Sequence, residues 1–421
     1  MMLRHPPRCS RFSPTLYHFL GFYMGLMGAG SGAGSGAGSG AGSGAGSGAG
    51  SGAGSGAGSG AGSGAGSGAG SGAHAGGGSS LGLNYALTRA QEAQVGYWTG
   101  EAEWLPDFPL NGEDDSDDRY LETLSRGRLL DAELAPVIDM RGARGRASLI
   151  LGRAAVFDIE RPSQAFFIEQ LKWLRAYADL RADRLEETHM QINDIMSFFG
   201  AAYMLNDARR KKTLELLYTV WRTTIRVTSM AKHICRVPRP IDYTVKVQPV
   251  IQTPDHSAFP SGHATEAFAL ATVLHALMTG QSAHDGLAAR AMPFKIAARI
   301  GINRTIAGVH FPGDTAAGAL LGCCIGESLA ALATGNRTGY GRQGSVVLNI
   351  SDELAPEVPD DPTVFYANSD FSLDWLSAAM PQRQVIPDNY RKGPSTLLGA
   401  LWAQADAERR TTPMPHPVVA E

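Results

Sequence analysis

The segment that decides the fold is Pro260-Ser261-Gly262-His263, which is followed by an apolar run from Ala264 to Leu277. The alanine, leucine, phenylalanine and valine side chains of this run predict a helix that begins at Ser261, a natural N-cap. The glycine after the serine lets an anion approach bare backbone N–H groups at the positive end of the helix dipole. The segment therefore predicts a helix whose N-terminus binds an oxyanion.

Two further segments supply fixed positive charge. They are Lys232-x6-Arg239 and Arg304-x5-His310-x3-Asp314. The two arginines offer planar forks of donors that stay protonated when they are desolvated, and the lysine adds a point charge. Together the three segments predict a pocket for a tetrahedral oxyanion.

The last segment places a histidine before a helix. A predicted helix runs from Pro293 to Arg304, Gly308 allows a turn, and a second helix begins with Pro-Gly-Asp and continues to Leu332. His310 therefore lies in the loop before that second helix. Asp314 can cap the helix and can also accept a hydrogen bond from one ring nitrogen of His310, which leaves the other nitrogen free as a nucleophile or ligand.

Each of these groups also has a purely structural alternative. Lys232 alone is typical of a solvated surface lysine, and Ser261 and Asp314 alone are typical of helix caps. Arg239 precedes a proline and so can simply end a helix, and the two histidines alone are more often structural than catalytic. Because three separate segments each carry anion-binding or proton-transfer groups, we favour a site over coincidence.

The segments resemble a known three-part signature. Lys232-x6-Arg239-Pro240, Pro260-Ser261-Gly262-His263 and Arg304-x5-His310-x3-Asp314 look like the motifs of the superfamily that joins type-2 phosphatidic acid phosphatases, bacterial acid phosphatases and vanadium-dependent haloperoxidases. With its helical context, the resemblance extends over roughly residues 163 to 332. The family usually has serine before the last arginine, whereas this chain has Asn303, which would be a supporting hydrogen-bonding residue.

The resemblance implies which residues hold the oxyanion. Lys232, Arg239 and Arg304 would bind its equatorial oxygens, and the Ser261 hydroxyl and the Gly262 N–H would add donors. These five residues are called the anion site below.

The resemblance also implies catalytic roles for four residues. In a haloperoxidase, Lys232 would polarise the bound oxidant in addition to binding the anion. His310 would bond to the central atom, as a phosphohistidine nucleophile in a phosphatase or as the vanadium ligand in a haloperoxidase. His263 would be the proton donor, and Asp314 would orient His310.

Phosphate and vanadate are near isosteres, so the motifs leave two activities open. The sequence from Phe259 to Thr265 and the length of the chain beyond its repeat are similar to those of haloperoxidases. The short spacing between Arg239 and Ser261 is closer to that of the phosphatases. The expected function is a vanadium-dependent haloperoxidase that oxidises halide with hydrogen peroxide at a vanadate held by His310. The alternative is a soluble acid phosphatase that acts on phosphomonoesters through a phosphohistidine at His310 and needs no cofactor.

Composition and charge narrow the partners to small molecules. The net charge is -3 and no basic stripe is present, which excludes a nucleic-acid partner. The two most apolar stretches, Ser261 to Met278 and Thr315 to Leu332, are interrupted by polar residues, so we expect no transmembrane segment in the catalytic domain and a soluble enzyme. A homo-oligomer is left open.

The fold class expected from the pattern is an all-α helical bundle, with the site where helix ends converge. Helices are predicted from Ser163 to Leu180, from Glu187 to Leu205 and from Ala208 to Cys235, the last with Lys232 at its end. The best strand candidate is Ser345 to Ile350.

Four regions are expected along the chain. Residues 1–27 are a leader that loosely resembles a secretory signal, and an exported or periplasmic enzyme is expected if they act as one. Residues 28–79 are a low-complexity Gly-Ala-Gly-Ser linker that cannot build a packed core. Residues 80–335 are the catalytic domain, and residues 336–421 are a loop-rich extension that packs on it as a lid or forms a subunit contact.

Overall fold

The computed structural model describes residues 85–87, 89, 121–335, 338–339, 345–382, 384–385 and 396–411. The leader, the Gly-Ala-Gly-Ser repeat and most of residues 80–120 lie outside these ranges, so what the sequence predicts for them stays a prediction. From Leu124 onward the described residues belong to one compact unit.

Helices dominate the described chain. They are α1 (Thr123–Leu134), α2 (Gln164–Tyr177), α3 (Arg181–Met190), α4 (Met196–Tyr203), α5 (Asp207–Cys235), α6 (Pro240–Tyr243), α7 (Gly262–Thr279), α8 (Ala283–Ala288), α9 (Met292–Ile306), α10 (Pro312–Thr334), α11 (Leu373–Ala379) and α12 (Thr396–Thr411). Five of these, α2, α5, α7, α9 and α10, confirm helices predicted from the sequence.

One predicted helix is two helices in the structure. The sequence suggests a single helix from Glu187 to Leu205, but the structure has α3 and α4, separated by a turn. Asp194 ends that turn, and its carboxylate accepts from the backbone N–H and the hydroxyl of Ser197 at 2.9 and 2.5 Å. An aspartate that bonds the backbone locally favours a helix start over a helix interior, which is why the pattern breaks here.

A small sheet corrects the all-α prediction. Its strands are β1 (Ile138–Ala143), β2 (Arg146–Leu151) and β3 (Ala154–Glu160), which form an antiparallel meander, and β5 (Val346–Val347), which pairs with β3 in parallel. Arg144 and Gly145 join the first two strands with φ values of 55° and 87°, as a two-residue hairpin turn requires. The sequence analysis missed this hairpin because Arg-Gly is not a usual turn pair.

Two short pairs complete the strands. They are β4 (Thr338–Gly339) with β8 (Gln384–Val385), and β6 (Ile350–Ser351) with β7 (Phe365–Tyr366). The strand predicted from Ser345 to Ile350 is therefore realised only as β5 and the first residue of β6.

Helices α7 and α10 pack at unusually short range along a stripe of glycines. A Cβ atom placed on Gly318 would lie 2.5 Å from the carbonyl oxygen of Ser261, and one on Gly322 would lie 2.4 Å from that of Thr265. Contacts advance by four residues on both helices together, so the two helices run parallel. Their N-termini consequently meet, and the Ser261 N–H donates to the Asp314 carbonyl at 2.9 Å.

Helix α10 bears on the expectation about membrane spans, which stays a prediction. Among the described helices, Pro312–Thr334 is long and apolar enough to cross a membrane by length and composition. Within its most apolar window, 94% of the residues are buried inside the protein. This burial is also what a core helix of a globular domain shows, and the glycine stripe accounts for it by pressing α10 against α7.

The C-terminal helix α12 stabilises a kink in α5. Arg210 leaves helical geometry with φ −137° and ψ 33°, which frees the backbone N–H groups of the next turn. Glu408 of α12 accepts from two of them, Lys212 N at 2.7 Å and Thr213 N at 2.9 Å. A carboxylate from another helix therefore caps the longer part of α5.

The segment between the sheet and α11 packs against α2. The side-chain amide of Gln170 donates to the carbonyls of Ala367 and Ser369 at 2.7 and 2.9 Å, and its oxygen accepts from Gly313 N at 2.8 Å. This one buried glutamine thus joins the extension to the N-terminus of α10.

We predict that Gly322→Ala lowers the free energy of unfolding by about 1–3 kcal/mol, because the new methyl group must displace the backbone of α7. The matched control is Gly200→Ala in α4, where the nearest atom to the new Cβ is 3.5 Å away and a helical alanine is favoured by up to about 1 kcal/mol. Urea unfolding of both variants measures the difference. Equal stability of Gly322→Ala and wild type would contradict close packing of the two helices.

Candidate active site

The N-termini of α7 and α10, the end of α5 and the loop before α10 meet at one place. The structure brings together all eight residues that the sequence singled out, which are Lys232, Arg239, Ser261, Gly262, His263, Arg304, His310 and Asp314. Their catalytic roles stay predictions, whereas their proximity is a property of the fold.

His310 is held in one tautomer. Its Nδ1 lies 3.0 Å from Asp314 Oδ2, which also accepts from the backbone N–H of Phe311 at 2.9 Å. Because a carboxylate only accepts, Nδ1 carries the proton and Nε2 keeps its lone pair. That Nε2 lies 3.0 Å from Nη1 of Arg239.

Burial keeps His310 neutral. The pKa of His310 is well below its usual value because its ring is buried and because Arg239 and Lys232 are close. Burial also raises the pKa of Asp314, against the Phe311 N–H and the same two cations. A neutral imidazole with an unprotonated Nε2 can act as a nucleophile without first losing a proton.

Lys232 and Arg239 are buried cations held by backbone carbonyls. Lys232 Nζ donates to Ser257 O at 2.7 Å and to Ala258 O at 3.2 Å, while Arg239 donates to His256 O and Val309 O, each at 2.8 Å. Burial, assisted by Arg239, lowers the pKa of Lys232 to about 7. Burial lowers the pKa of Arg239 to about 10, so the arginine stays charged at neutral pH.

Three donor atoms at the site are buried and have no protein partner in the described chain. They are the Ser261 hydroxyl and two nitrogens of Arg304, Nε and Nη1. Ser261 occupies the N-cap position of α7, as predicted, but its side chain makes no capping hydrogen bond. Because a buried donor left unpaired costs about 1–3 kcal/mol, these atoms indicate that the site is built for an acceptor from outside the chain.

Gly262 leaves the N-terminus of α7 open. A Cβ placed on it would have only Glu266 Oε1 at 3.5 Å and Lys232 Cε at 3.7 Å within 4 Å. An oxyanion can therefore approach the backbone N–H groups of the first turn, between a cation and a carboxyl group. The donor set fits a tetrahedral oxyanion, and phosphate and vanadate equally.

His263 is neutral in the ligand-free site. Its Nε2 lies 2.8 Å from the carbonyl oxygen of Gln191, which can only accept, so Nε2 carries the proton. Burial and then Arg304 lower the pKa of His263 to about 3, while the Gln191 carbonyl opposes them. A negatively charged ligand would offset the arginine and make protonation easier, which is what a proton donor in this position needs.

Arg304 and Asn303 join α9 to the end of α3. Nη2 of Arg304 donates to Thr188 O at 3.0 Å and to Gln191 Oε1 at 2.9 Å. Asn303, in the place of the usual serine, donates to Glu187 Oε1 at 2.9 Å and to Gln191 Oε1 at 3.1 Å. It is thus a supporting hydrogen-bonding residue, as expected from the sequence.

Two groups at the site were missed by the sequence analysis. Glu266 accepts from the indole N–H of Trp221 at 2.7 Å, and burial raises its pKa to about 7 despite that bond and Lys232. His256 Nδ1 lies 2.9 Å from Arg239 Nη2. The signal for Glu266 was a lone carboxylate one turn after Gly262 in a mainly apolar helix.

The vanadium prediction at His310 is not tested by these contacts. Among the described residues, no group of three or more His, Cys, Asp and Glu side chains is placed to hold a metal ion. A vanadate would be bound through the anion site and one imidazole, so it needs no such group.

Comparisons with known proteins point to one family. Residues 197–337 match the model of the PAP2 superfamily. Two decaprenylphosphoryl-5-phosphoribose phosphatases, from Mycobacterium tuberculosis strains CDC 1551/Oshkosh and ATCC 25618/H37Rv, are each 29% identical to this chain over 111 residues. The aligned part is 26% of this chain and 56% of each relative, so the chain spans little more than half the length of the curated relatives it matches.

Both relatives are named as phosphatases, which supports the phosphatase alternative better than the haloperoxidase expected from the sequence. The matched region holds all eight residues of the site, from Lys232 to Asp314. Residues 197–337 are thus similar to a PAP2 superfamily domain, and this matched region carries the candidate active site.

Proposed function

We propose that this protein is a phosphatase that hydrolyses phosphomonoesters through a phosphohistidine at His310. The observation that supports this most is the set of buried, unpaired donors on Ser261 and Arg304 around a neutral His310. A phosphoryl group supplies the acceptors that those donors lack. The names of the two relatives support the same chemistry.

Binding would use the anion site without rearranging the helices. The phosphoryl oxygens would accept from the Ser261 hydroxyl, from the free nitrogens of Arg304 and from the backbone N–H groups at Gly262. Lys232 and Arg239 would balance the negative charge. These donors are fixed before the substrate arrives, so they stabilise the charge that develops on the equatorial oxygens at little cost of reorganisation.

The first chemical step would form a P–N bond. Nε2 of His310, released from Arg239, attacks phosphorus as the ester P–O bond breaks. His263 takes up a proton on Nδ1 from solvent once the negative charge of the substrate is bound, and gives that proton to the leaving oxygen. Asp314 stabilises the positive charge on His310 through its Nδ1 hydrogen bond. Both steps follow from nucleophilic catalysis with a positioned general acid.

The second step would restore the protonated His263 and the neutral His310 of the substrate complex. His263, now neutral, takes a proton from a water molecule, whose oxygen attacks phosphorus as the P–N bond breaks. Inorganic phosphate is released and His310 is neutral again. The Gln191 carbonyl holds the same His263 nitrogen throughout, so one imidazole can serve as acid and then as base.

The substrate is a small molecule with a terminal phosphate. The names of the relatives specify a polyprenyl-linked sugar phosphate, so amphiphilic phosphomonoesters belong in the substrate panel beside an aryl phosphate. The haloperoxidase remains the competing proposal, because vanadate fits the same donors. Vanadate held there would supply activation of hydrogen peroxide toward halide.

We predict that His310→Ala lowers kcat for aryl phosphate by about a thousandfold or more, because it removes the nucleophile. Wild type mixed with a 32P-labelled phosphomonoester should give an acid-labile phosphohistidine that the variant lacks. His233→Ala is the control, since this exposed histidine follows Lys232 directly in α5 and takes no part in the site.

Two results would contradict a phosphatase that works through His310. One is hydrolysis that survives in His310→Ala. The other is no hydrolysis of any phosphomonoester together with halogenation of bromide or iodide that requires vanadate, peroxide and His310, which would favour the haloperoxidase.

The affinity for inorganic phosphate should fall as the pH rises above about 7. Lys232, with its pKa lowered to about 7, is charged below that pH and neutral above it. Glu266, with its pKa raised to about 7, is neutral below that pH and negative above it. Both changes weaken anion binding at high pH, and a bound anion moves both transitions upward because it favours the positive lysine and the neutral carboxyl.

Glu266→Gln should bind phosphate about tenfold more tightly than wild type at pH 8.5 and equally well at pH 5.5, because the amide never ionises. Calorimetric titration of both proteins with phosphate measures this, and the titration of phosphate itself cancels in the comparison. Glu186→Gln, at an exposed residue of α3, is the control. A Glu266→Gln curve parallel to that of wild type would show that Glu266 does not sense the anion.

A further inference from the structure

The end of α3 lies outside the sequence motifs and outside the region that matches the PAP2 superfamily. The carbonyls in the last turn of any α-helix lack helical partners, and the negative end of the helix dipole lies there. Two such carbonyls accept from the site: Thr188 O from Arg304 Nη2 at 3.0 Å and Gln191 O from His263 Nε2 at 2.8 Å. The turn is therefore suited to hold groups that are positively charged or become so.

The side chain of Gln191 adds a second link to the same arginine. Its Oε1 accepts from Arg304 Nη2 at 2.9 Å and from Asn303 Nδ2 at 3.1 Å, and its side chain is buried. Its Nε2 donates to Glu187 Oε1 at 3.1 Å, which fixes the amide with the oxygen toward Arg304. One residue thus contacts the predicted proton donor with its backbone and a predicted anion-binding arginine with its side chain.

The outer end of this arrangement is also fixed. Arg299 binds the Glu187 carboxylate with Nε at 2.7 Å and with Nη2 at 2.7 Å, a two-pronged geometry that holds it in place. Arg299 of α9 thus holds Glu187, and Glu187 holds the side-chain amide of Gln191. Gln191 in turn accepts hydrogen bonds from Arg304 of α9 and from His263 of α7. Such support is what keeps a functional side chain within a fraction of an ångström of its working position.

The consequence for Arg304 is that, within the described chain, only one of its nitrogens donates to protein acceptors. Thr188 and Gln191 hold Nη2, and the unpaired nitrogens are Nε and Nη1. A planar guanidinium held at one corner presents its other donors in a fixed direction. Without the Gln191 oxygen the guanidinium would be free to turn toward other acceptors, and the ligand would have to bear the cost of orienting it.

The consequence for His263 is that its second ring nitrogen does the proton transfer. Nε2 is committed to the Gln191 carbonyl, so Nδ1 is the atom that can give a proton to a leaving group. A carbonyl acceptor at the negative end of a helix also favours the imidazolium over the neutral ring.

We infer that Gln191 is a positioning residue of the active site, which fixes His263 through its backbone carbonyl and Arg304 through its side-chain carbonyl. The inference deepens the proposed function, because it assigns to the turn after α3 the orientation of the proton donor and of one anion-binding group. It requires only that the site binds an oxyanion, and so its test does not depend on turnover.

The test is the affinity for inorganic phosphate of Gln191→Met, measured by calorimetric titration. Methionine keeps the length and volume of the side chain but removes its acceptor, so the dissociation constant should rise about tenfold. The pH dependence of binding should stay that of wild type, because Lys232 and Glu266 are untouched. A collapsed site would change both the dissociation constant and its pH dependence.

The matched control is Glu408→Ala, which loses the cap of the α5 kink and so is destabilised without contacting the site. Thr213, which Glu408 caps, is about 28 Å along α5 from Lys232. Its phosphate affinity should equal that of wild type. An unchanged dissociation constant in Gln191→Met, or an equal rise in Glu408→Ala, would overturn the inference.

A second variant keeps the test decisive if Gln191→Met does not fold. Gln191→Glu retains an oxygen for Arg304 and Asn303, but places a negative charge between Arg304 and His263. Phosphate should then bind at least tenfold more weakly, and an affinity equal to that of wild type would overturn the inference.

The outcomes also separate this inference from the proposed function. Gln191-dependent phosphate binding with no phosphomonoester hydrolysis would support the inference and contradict the phosphatase. Hydrolysis through His310 with wild-type phosphate affinity in both Gln191 variants would support the phosphatase and overturn the inference.

Discussion

The close parallel packing of α7 on α10 is the constraint on which the site depends. Gly318 and Gly322 let the helix backbones approach until a single methyl group would clash with a carbonyl oxygen. Since the helices are parallel, both N-termini and both positive dipole ends lie on the same side. One N-terminus carries the Ser261 hydroxyl and the other carries Asp314, which orients His310. The packing of small residues thus places Ser261 and Gly262 at the start of α7 beside Asp314 and the loop that carries His310.

Burying this much positive charge costs solvation free energy, and the described protein contacts offset only part of that cost. Burial weakens the charged forms of Lys232 and Arg239, and it favours the neutral forms of His263 and His310. Donors on Arg304 have no protein partner in the described chain. A bound oxyanion would favour the charged forms of Lys232 and Arg239 and would pair the open donors of Arg304, so binding and folding are linked, and such a ligand should stabilise the folded protein.

The sequence predicted which of these residues come together better than it predicted the fold around them. Spacing between charged residues, proline and glycine placed His310 in a loop before α10 and Lys232 at the end of α5, because helix caps and breakers act locally. The β1–β3 sheet and the break between α3 and α4 were missed, since short strands and an Arg-Gly turn give weak local signals. Glu266 and Gln191 could not be assigned for another reason: their importance comes from contacts across the fold, with Trp221 and with His263, which spacing does not encode.

The proposed active site therefore extends beyond the matched region. Residues 197–337 contain every motif residue, yet the orientation of His263 and Arg304 depends on the turn at Gln191, six residues upstream of the match. A motif supplies the reacting atoms, but a proton donor works only in one tautomer and an arginine only in one direction. The tautomer of His263 and the direction of Arg304 are set by carbonyl groups at the end of α3, a helix that carries none of the three motifs. A protein that kept the three motifs but lost this turn would keep the charges of the site and lose the hydrogen bonds that orient His263 and Arg304.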